Sequence, residues 1–284
     1  MSLQNFIPTV WSAKLIEELQ NALVYGSCCN KDYEGDIKGA GDRVRIGGLS
    51  TVTISNYTRN TDISDPEDVI AAAAELVVDQ EKYYNFAIDD VDAAQAKPTV
   101  MSAAMKNAAY ELADTMDQYI RDIMIAGVSE DNLSGSDSAD IVPSTSVGTM
   151  AFDYLLGLGE LLSDSKCPRA GRWVVLPPWW ITKLALDARF TAGPSTSADV
   201  LRNGFVGRAA GFDIFESQNV KNTAGDHYKV IAGTNAAVTL AVQINKTEAY
   251  RPPKRFADAV KGLAVYGAKV VRPNCIALMT TAKT

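Results

Sequence analysis

The chain has 284 residues, a formal net charge of −7 and a sequence pI of about 4.9. Its 47% hydrophobic and 21% charged residues are typical of a globular chain with a sizeable core, and the length suggests about two domains. The acidic balance argues against a protein whose main task is gripping the nucleic acid backbone, which needs clustered Lys and Arg.

The cysteines and the start of the chain indicate a cytoplasmic protein with reduced thiols. Cys28 and Cys29 are adjacent, which is poor disulfide geometry, and neither they nor Cys167 and Cys275 form a C-x-x-C pair. No basic region followed by an apolar region opens the chain, so no secretory signal is predicted. The apolar run at 173–181 is interrupted by proline, so no membrane-spanning segment is predicted.

Residues 1–34 are predicted to form an N-terminal arm with a short amphipathic helix. Pro8 precedes this helix, and Trp11, Leu15 and Leu19 fall on one of its faces. Large apolar side chains so near a terminus need a cover, which is either their own domain or a neighbouring subunit. Trp11 and Leu15 are therefore candidate subunit-interface residues.

Residues 35–82 are predicted to form an extended loop built as a β-hairpin. Val44 and Ile46 alternate with polar residues in its first strand, and the adjacent Gly47 and Gly48 suggest a bulge or bend there. The return strand is expected to carry apolar residues on one face: Leu76, Val78, Tyr84, Phe86 and Ile88. A two-stranded ribbon with so few apolar contacts is unstable alone in water, so it must lie on its own domain or on another subunit.

Charged residues of both signs lie along this loop: Arg43, Arg45, Arg59, Asp36, Asp42 and Asp62. A solvated ribbon is the default explanation of such a mixture. The alternative is an intersubunit latch, in which complementary charges set the register and the choice of partner. On that hypothesis, the candidate interface residues are Arg43, Arg45, Arg59 and Asp62.

The longest predicted element lies within residues 83–140. A strand is expected to lead into a long amphipathic helix, whose apolar residues recur at helical spacing: Met101, Met105, Ala108, Leu112, Met116, Tyr119, Ile123 and Met124. Gly127 is a suitable C-terminal stop for this helix. No other segment of the sequence predicts a helix of this length.

Three acidic residues between that strand and that helix, Asp89, Asp90 and Asp92, are the most enzyme-like cluster in the sequence. Close carboxylates can hold Mg²⁺ or Ca²⁺. Carboxylates are also favoured beside a helix N-terminus without any metal. We favour the second explanation and predict no metal site.

No nucleophile, general base or phosphate-binding motif accompanies the acidic cluster. His227 is the single histidine, and its neighbours predict a turn residue in contact with solvent. The sequence has no G-x-S-x-G elbow, no phosphate-binding loop and no G-x-G-x-x-G motif after a strand. We therefore predict a protein with no catalytic residues and no cofactor.

The remainder of the chain predicts a compact mixed domain. Ser, Asp, Asn and Gly dominate residues 129–149, which is the composition of a mobile surface loop. Helices and strands alternate over 150–250, with a short buried strand at 173–176 and a helix that begins after Pro177. Residues 262–273 predict a further strand, which returns to the core.

Four segments, in this order, resemble the major capsid proteins of tailed bacteriophages: residues 5–15, 78–92, 201–217 and 256–273. Those proteins have the Hong-Kong-97-type capsid fold, an α+β fold that encapsulin shells share. The resemblance covers nearly the whole chain. It implies an N-terminal arm at 1–34, an extended loop at 35–82, a peripheral domain with a long spine helix at 83–140, an axial domain at 141–250, and a closing strand at 251–284 that returns to the peripheral domain.

The resemblance implies a structural function. Subunits are expected to form pentamers and hexamers that close into an icosahedral head around double-stranded DNA, without sequence-specific binding. A scaffolding protein, a portal and decoration proteins are the implied partners, with assembly in the host cytoplasm. Maturation in this family moves rigid parts around the loop and the spine helix, so the loop glycines are expected to act as hinges: Gly35, Gly39, Gly41, Gly47 and Gly48.

Two alternatives stay open. An encapsulin-like nanocompartment has the same fold and encloses a cargo enzyme. A metal-dependent enzyme built on Asp89, Asp90 and Asp92 is the remote alternative, because it needs a pocket and a nucleophile that the sequence does not indicate.

Overall fold

The computed structural model describes residues 24–32, 43–49, 54, 56–57, 59–60, 62, 65, 71–89, 100–137, 141–143, 150–187, 207–254 and 256–283. Several residues singled out above lie outside this set: Trp11, Leu15, Gly35, Gly39, Gly41, Asp90 and Asp92.

The described helices and strands belong to a mixed α+β fold, which confirms the predicted class. In chain order they are β1 (Arg43–Leu49), β2 (Ala71–Val77), β3 (Gln80–Asp89), α1 (Val100–Ala126), β4 (Leu133–Ser134), α2 (Ala151–Asp164), β5 (Arg172–Leu176), α3 (Pro178–Ala185), β6 (Arg208–Ala209), β7 (Phe212–Glu216), β8 (Asn222–Thr223), β9 (His227–Thr234), β10 (Val238–Tyr250), β11 (Ala257–Val270) and β12 (Ile276–Thr281). Short 3-10 helices lie at Tyr25–Cys28, Glu130–Asn132, Asn235–Ala237 and Pro273–Cys275.

A seven-stranded sheet forms the larger core. Its strand order is β4-β12-β9-β5-β7-β6, and β8 pairs with β9 at its side. The central strand β5 is parallel to β7 and antiparallel to β9, and all five of its residues are buried. Leu158 of α2 and Trp180 of α3 belong to the same apolar cluster. A strand buried on both faces explains why residues 173–176 are continuously apolar.

A three-stranded antiparallel sheet, in the order β10-β11-β3, forms the smaller core. Ala264 and Tyr266 of β11 pack on α1. Val265, between them, packs on the base of the β1–β2 hairpin, which contributes Ile46 and Leu76. Because successive strand residues point to opposite faces, the helix and the hairpin lie on opposite sides of this sheet.

Helix α1 joins the two cores. Its 27 residues confirm the predicted long helix, and Gly127 follows its last residue. Leu112 and Met116 belong to the smaller core. Ile120 and Met124, further along the same helix, belong to the larger core. One amphipathic stripe therefore serves two sheets.

Strand β3 corrects the predicted course of the hairpin. The sequence places Tyr84, Phe86 and Ile88 on the return strand, but β3 pairs with β11, whereas β1 pairs with β2. Tyr84 lies opposite Gly262, and a Cβ on that glycine would lie 2.3 Å from the Tyr84 ring atom Cζ. The Tyr84 ring therefore covers Gly262. The alternation of residues within one segment does not reveal such a pairing between distant strands.

The predicted bulge at Gly47 and Gly48 is wrong. These residues pair with Ala73 and Ala72 in one continuous register of β1 with β2. Small residues on both strands make a narrow ribbon, and the pairing continues through them without an extra residue.

The predicted loop at 129–149 is described at 129–137 and 141–143, and most residues of 129–137 are exposed, as predicted. Part of this segment nevertheless joins the larger sheet. β4 pairs with β12, and Asn132 is 1% exposed. The Asn132 side-chain nitrogen donates to the carbonyl oxygens of Asn274 and Ile276, both at 2.9 Å. Its side-chain oxygen accepts from Ser165 Oγ at 2.5 Å. Asn132 is thus a buried side chain with satisfied hydrogen bonds, because asparagine carries both donors and an acceptor.

Residues 251–284 divide between the two sheets. β11 lies in the smaller sheet, between β10 and β3, whereas β12 lies in the larger sheet, between β4 and β9. β10, from the predicted axial domain, also pairs into the smaller sheet. The five predicted domain boundaries stay predictions.

Gly267→Ala is expected to lower the free energy of unfolding by about 1–3 kcal/mol. A Cβ at Gly267 would lie 2.3 Å from the Val77 carbonyl oxygen, so the hairpin backbone has to move away from the sheet. Urea unfolding of the isolated subunit measures the change.

Gly157→Ala is the matched control for that substitution. A Cβ at Gly157, within α2, meets nothing within 4 Å, so alanine is expected to raise the free energy of unfolding by about 0.5–1 kcal/mol. Equal effects of the two substitutions would contradict the close approach of the hairpin to the sheet.

Candidate assembly surfaces

The β1–β2 hairpin is anchored at its base and exposed towards its far end. Ile46 and Leu76 are buried against the three-stranded sheet, so the base of the ribbon lies on its own subunit. Ile54 and Tyr57, between the two strands, are 96% and 73% exposed. Large apolar side chains this exposed on one segment are typical of a contact with another molecule.

Arg43 forms an ion pair within its own hairpin. Its guanidinium Nη1 lies 3.5 Å from the Glu75 carboxylate, and the two side chains are 67% and 38% exposed. An exposed pair of this kind contributes about 0–1 kcal/mol to stability. Arg45 lies opposite Glu75 in the strand register, while Arg59 and Asp62 are exposed in the segment between the strands. Arg43 therefore keeps much of its charge accessible to a second molecule.

Tyr83 belongs to an exposed face of the three-stranded sheet that sequence reasoning missed. Tyr83 is 80% exposed, because the alternation of β3 turns Tyr84 towards the opposite side. On the same face, Lys261 Nζ lies 3.1 Å from the Glu248 carboxylate and 5.3 Å from the centre of the Tyr250 ring. The alternation itself was the available signal, since it places Tyr83 on the side that the apolar residues avoid.

The end of the predicted arm pairs with the outer edge of β10. The Asn30 N–H donates to the Val238 carbonyl oxygen at 2.8 Å, and the Leu240 N–H donates to the Asn30 carbonyl oxygen at 2.9 Å. Asn30 therefore forms a parallel bridge with Thr239. Residues 24–32 thus lie on their own subunit, while the predicted cover of Trp11, Leu15 and Leu19 stays a prediction because those residues fall outside the described ranges.

A buried carboxylate on α1 holds the same segment. Asp117 is 2% exposed, and its two oxygens accept from the Val24 N–H at 3.0 Å and the Gly26 N–H at 3.3 Å. Burial disfavours the charged carboxylate and raises the pKa of Asp117 to about 6. The sequence signal for this residue was its place in the apolar stripe of α1, between Met116 and Ile120.

A polar network joins α1 to the turn before β8. The Asn219 side-chain nitrogen donates to Asp114 Oδ1 at 2.6 Å, and Arg121 Nη1 donates to the Asn219 carbonyl oxygen at 2.8 Å. Lys221 Nζ lies 3.0 Å from Asp122 Oδ1. The helix is thereby fixed to the larger sheet by polar contacts as well as by its apolar stripe.

The described residues contain no group of three or more His, Cys, Asp or Glu side chains placed to hold a metal ion. Asp89 is the last residue of β3, whereas Asp90 and Asp92 fall outside the described ranges. His227 is the first residue of β9, directly after a turn. No helix in the described part of the chain has the length and apolar character needed to cross a membrane.

An open cleft of about 610 Å³ borders α2, and Arg172 lies in its wall. The Arg172 guanidinium donates to the carbonyl oxygens of Gly159 at 2.9 Å and Cys167 at 2.8 Å. It also donates to the Pro168 carbonyl oxygen at 2.9 Å. A fourth bond runs to Ser163 Oγ at 3.1 Å, so four of the five guanidinium N–H donors hold the turn after α2.

No model of a known protein family matches the chain, and no curated protein matches it. Solved structures do match. That of Mycobacterium phage Che8 aligns with a TM-score of 0.69 and 27% identity over 90% of each chain. The capsid structure of cyanophage P-SCSP1u aligns with a TM-score of 0.65 and 18% identity over 87% of this chain and 85% of that one. The virus-like particle from Pyrococcus furiosus aligns with a TM-score of 0.55 and 12% identity over 94% and 96%.

The chain has the Hong-Kong-97-type capsid fold. The resemblance that four sequence segments indicate is thereby confirmed. The exposed surfaces described above are therefore candidate surfaces for contact between subunits. Among the described residues, the hairpin tip and the Tyr83 face hold three of the four most exposed large hydrophobic side chains, namely Ile54, Tyr57 and Tyr83, and aromatic residues of this kind are enriched in protein interfaces.

The stability of the capsid fold is expected to depend on the ionisation of Asp117. Its raised pKa means that the folded chain holds the proton more tightly than the unfolded chain. The contribution of Asp117 to the free energy of unfolding is therefore fully present below about pH 4, and it is lost as the pH rises through about 6. The expected loss is about 2–3 kcal/mol of unfolding free energy.

Asp117→Asn tests this dependence through urea unfolding at several pH values. The amide oxygen still accepts one N–H, but the amide nitrogen cannot accept the second, so a constant loss of about 1 kcal/mol is expected. Asparagine does not titrate, so the stability of the variant should not fall with the wild type's as the pH rises from 4 to 7. The difference in unfolding free energy between the two proteins should therefore shift in favour of the variant over this range. Parallel pH profiles for the two proteins would contradict the prediction.

Proposed function

We propose that this chain is a major capsid protein, the structural subunit that assembles into the icosahedral head of a tailed bacteriophage. The observation that carries the proposal is the likeness to solved phage capsid structures over 87% and 91% of the chain. The described residues contain no group of acidic, histidine or cysteine side chains placed to hold a metal ion, as the metal-dependent enzyme would require. The protein acts by assembly, and it has no enzymatic activity.

The mechanism is the repetition of weak contacts in a closed shell. Subunits form pentamers and hexamers, and these capsomers close around double-stranded DNA without reading its sequence. Each contact is weak, but many contacts within one closed object add up to a stable container. The β1–β2 hairpin serves as the extended loop, and α1 serves as the spine helix that holds both sheets in one subunit.

The interface is proposed to include the arm and the hairpin: Trp11, Leu15, Arg43, Arg45, Arg59 and Asp62. The exposure of Arg43, Arg59 and Asp62 supports this assignment. The proposed hinges of maturation are Gly35, Gly39, Gly41, Gly47 and Gly48. Gly47 and Gly48 lie in β1 opposite alanines, where no bulky side chain opposes bending.

The partners are proposed to be those of a phage head. They comprise further copies of this chain, a scaffolding protein, a portal and decoration proteins. Assembly takes place in the host cytoplasm, and the product is part of the virion. The acidic net charge of −7 supports a wall that does not trap packaged DNA, since like charges repel.

An encapsulin-like nanocompartment is the second candidate. The likeness to the virus-like particle from Pyrococcus furiosus supports it, at a TM-score of 0.55. The phage structures align with higher TM-scores of 0.69 and 0.65, so the phage head is the preferred function. Shells of this second kind enclose a cargo enzyme in place of DNA.

Electron microscopy of the chain, expressed alone and with its neighbouring genes, tests the proposal. Closed shells, tubes or rings of capsomers are expected, because the fold presents the same surfaces on every copy. Large heads formed with a scaffolding protein support the phage function, and small uniform shells with enclosed enzyme support the nanocompartment. A monodisperse monomer under every one of these conditions contradicts both.

Arg43→Glu is expected to lower the yield of assembled particles severalfold while the subunit still folds. The intrachain pair with Glu75 is exposed and contributes little to stability, whereas a reversed charge repels a complementary neighbour. Particle yield from sucrose gradients and the melting temperature of the isolated subunit measure the two effects.

The double variant Arg43→Glu with Glu75→Arg separates the two sources of an assembly defect. It restores an ion pair within the hairpin but not a contact with a neighbouring subunit. Assembly is expected to stay impaired. Normal particles from the single variant, or full recovery in the double variant, would argue against an intersubunit role for Arg43.

A further inference from the structure

Residues 24–32, here called the anchor segment, cover a carboxylate on the long helix. Asp117 of α1 is 2% exposed. Its two oxygens accept the N–H groups of Val24 at 3.0 Å and Gly26 at 3.3 Å. Because these donors belong to the segment itself, detachment of the segment removes both hydrogen bonds and returns the carboxylate to water.

The anchor segment is attached by a small set of contacts. Besides the bonds to Asp117, Asn30 exchanges two backbone hydrogen bonds with the edge of β10, at 2.8 and 2.9 Å. Tyr25, Cys28 and Cys29 are buried in the larger core, and the Tyr25 hydroxyl has no hydrogen-bond partner among the described residues. The segment is not a strand of either sheet, so its detachment breaks no strand pairing apart from the Asn30 bridge. Units of this kind open at lower cost than the whole fold.

No lysine or arginine of the described chain forms an ion pair with Asp117. The charged and titratable groups around it come from α1, from the anchor segment and from the turn before β8: Asp114, Arg121, Asp122, Tyr25, Cys28, Cys29, Lys31 and Lys221. Arg121 is engaged by Asp122 at 3.0 Å and by the Asn219 carbonyl oxygen at 2.8 Å. Burial raises the pKa of Tyr25, Cys28 and Cys29, so these three groups stay neutral in mildly acidic and neutral solution.

We propose that the protonation state of Asp117 controls how often the anchor segment detaches from the folded subunit. The segment is held most firmly when the carboxyl group is protonated, and it detaches more often once the group is ionised. The cause is burial, because the docked segment keeps the charge out of water and the detached segment does not. The two N–H bonds favour the charged form, but desolvation is the larger effect.

The direction and size of the effect follow from linkage. The docked segment raises the pKa of Asp117 to about 6, whereas an aspartate in water has a pKa of about 3.9. The detached fraction is therefore lowest below about pH 4, and it rises until the pH has passed about 6. Between pH 5 and pH 8 the detached fraction is expected to rise about tenfold. Both sheets keep their pairing, which separates this event from the unfolding of the whole chain.

The cysteines of the chain report the two events separately. Cys28 and Cys29 lie in the anchor segment, whereas Cys167 and Cys275 are buried elsewhere in the larger core. The reduced, folded subunit is mixed with dithiodipyridine, a small disulfide that modifies thiols in acidic and in neutral solution, and peptide mass mapping gives the labelling rate of each cysteine. Division by the rate for the same cysteine in the urea-unfolded chain, at the same pH, removes the pH dependence of the thiol reaction itself.

Cys28 and Cys29 are expected to react before Cys167 and Cys275, with a corrected rate that rises about tenfold from pH 5 to pH 8. Asp117→Asn should abolish this rise, because the amide does not titrate. Asp114→Asn is the matched control. It removes a carboxylate one turn earlier on α1, where the contact is with Asn219, and it should keep the rise.

Three results would overturn the proposal: labelling of all four cysteines at one common corrected rate, a corrected rate for Cys28 and Cys29 that does not rise with pH, or a rise that persists in Asp117→Asn. The first two are read from the wild type, so they stand even if the asparagine variant folds poorly. Because the measurement is made on the isolated subunit, its outcome does not depend on whether the chain forms shells.

Discussion

The apolar stripe of α1 is the constraint on which the rest of this structure depends. Its first half packs on the three-stranded sheet, and its second half packs on the seven-stranded sheet. Neither sheet can rotate against the other without breaking contacts along one rigid helix. The network from Asp114 to Lys221 adds directional polar contacts to this apolar attachment. A single helix thus makes two cores behave as one subunit.

The segment at 24–32 depends on the same helix. Asp117 accepts two backbone N–H groups from it, while Asn30 pairs with the edge of β10. Tyr25, between these anchors, is fully buried in the larger core. A buried carboxylate is costly, and here it satisfies backbone donors that would otherwise lack partners. Residues 24–32 are therefore held at a fixed place on the subunit.

Local patterns predicted the elements, and long-range contacts decided their arrangement. The spacing of Met101 to Met124 predicted α1, and the apolar run at 173–176 predicted β5, because amphipathic and buried elements leave a signal in the residues themselves. The pairing of β3 with β11 left none, since Tyr84 covers a glycine far along the chain. The composition of 129–137 correctly indicated an exposed segment but not the buried Asn132, because an asparagine is equally polar in a sequence whether it is solvated or buried with its hydrogen bonds satisfied.

The candidate assembly surfaces were likewise predictable from the sequence only in part. Charge on the hairpin was readable from Arg43 and Arg45, but the pairing of Arg43 with Glu75 required the register of two strands. The exposure of Tyr83 could be inferred from the alternation of β3 once the buried face of that strand was known. The place of Asp117 in an apolar stripe was visible in the sequence, but its partners were not, because they are backbone N–H groups of a distant segment.

The position of β12 has a consequence for synthesis. β4 and β9 flank β12 in the larger sheet, yet both precede it along the chain. Until residues 276–281 leave the ribosome, β4 has no strand to join and β9 keeps one edge open. Open strand edges invite pairing with other chains. During translation the growing polypeptide therefore carries a strand edge that is prone to aggregation. Chaperone binding or rapid completion of the chain would limit pairing of this edge with other chains.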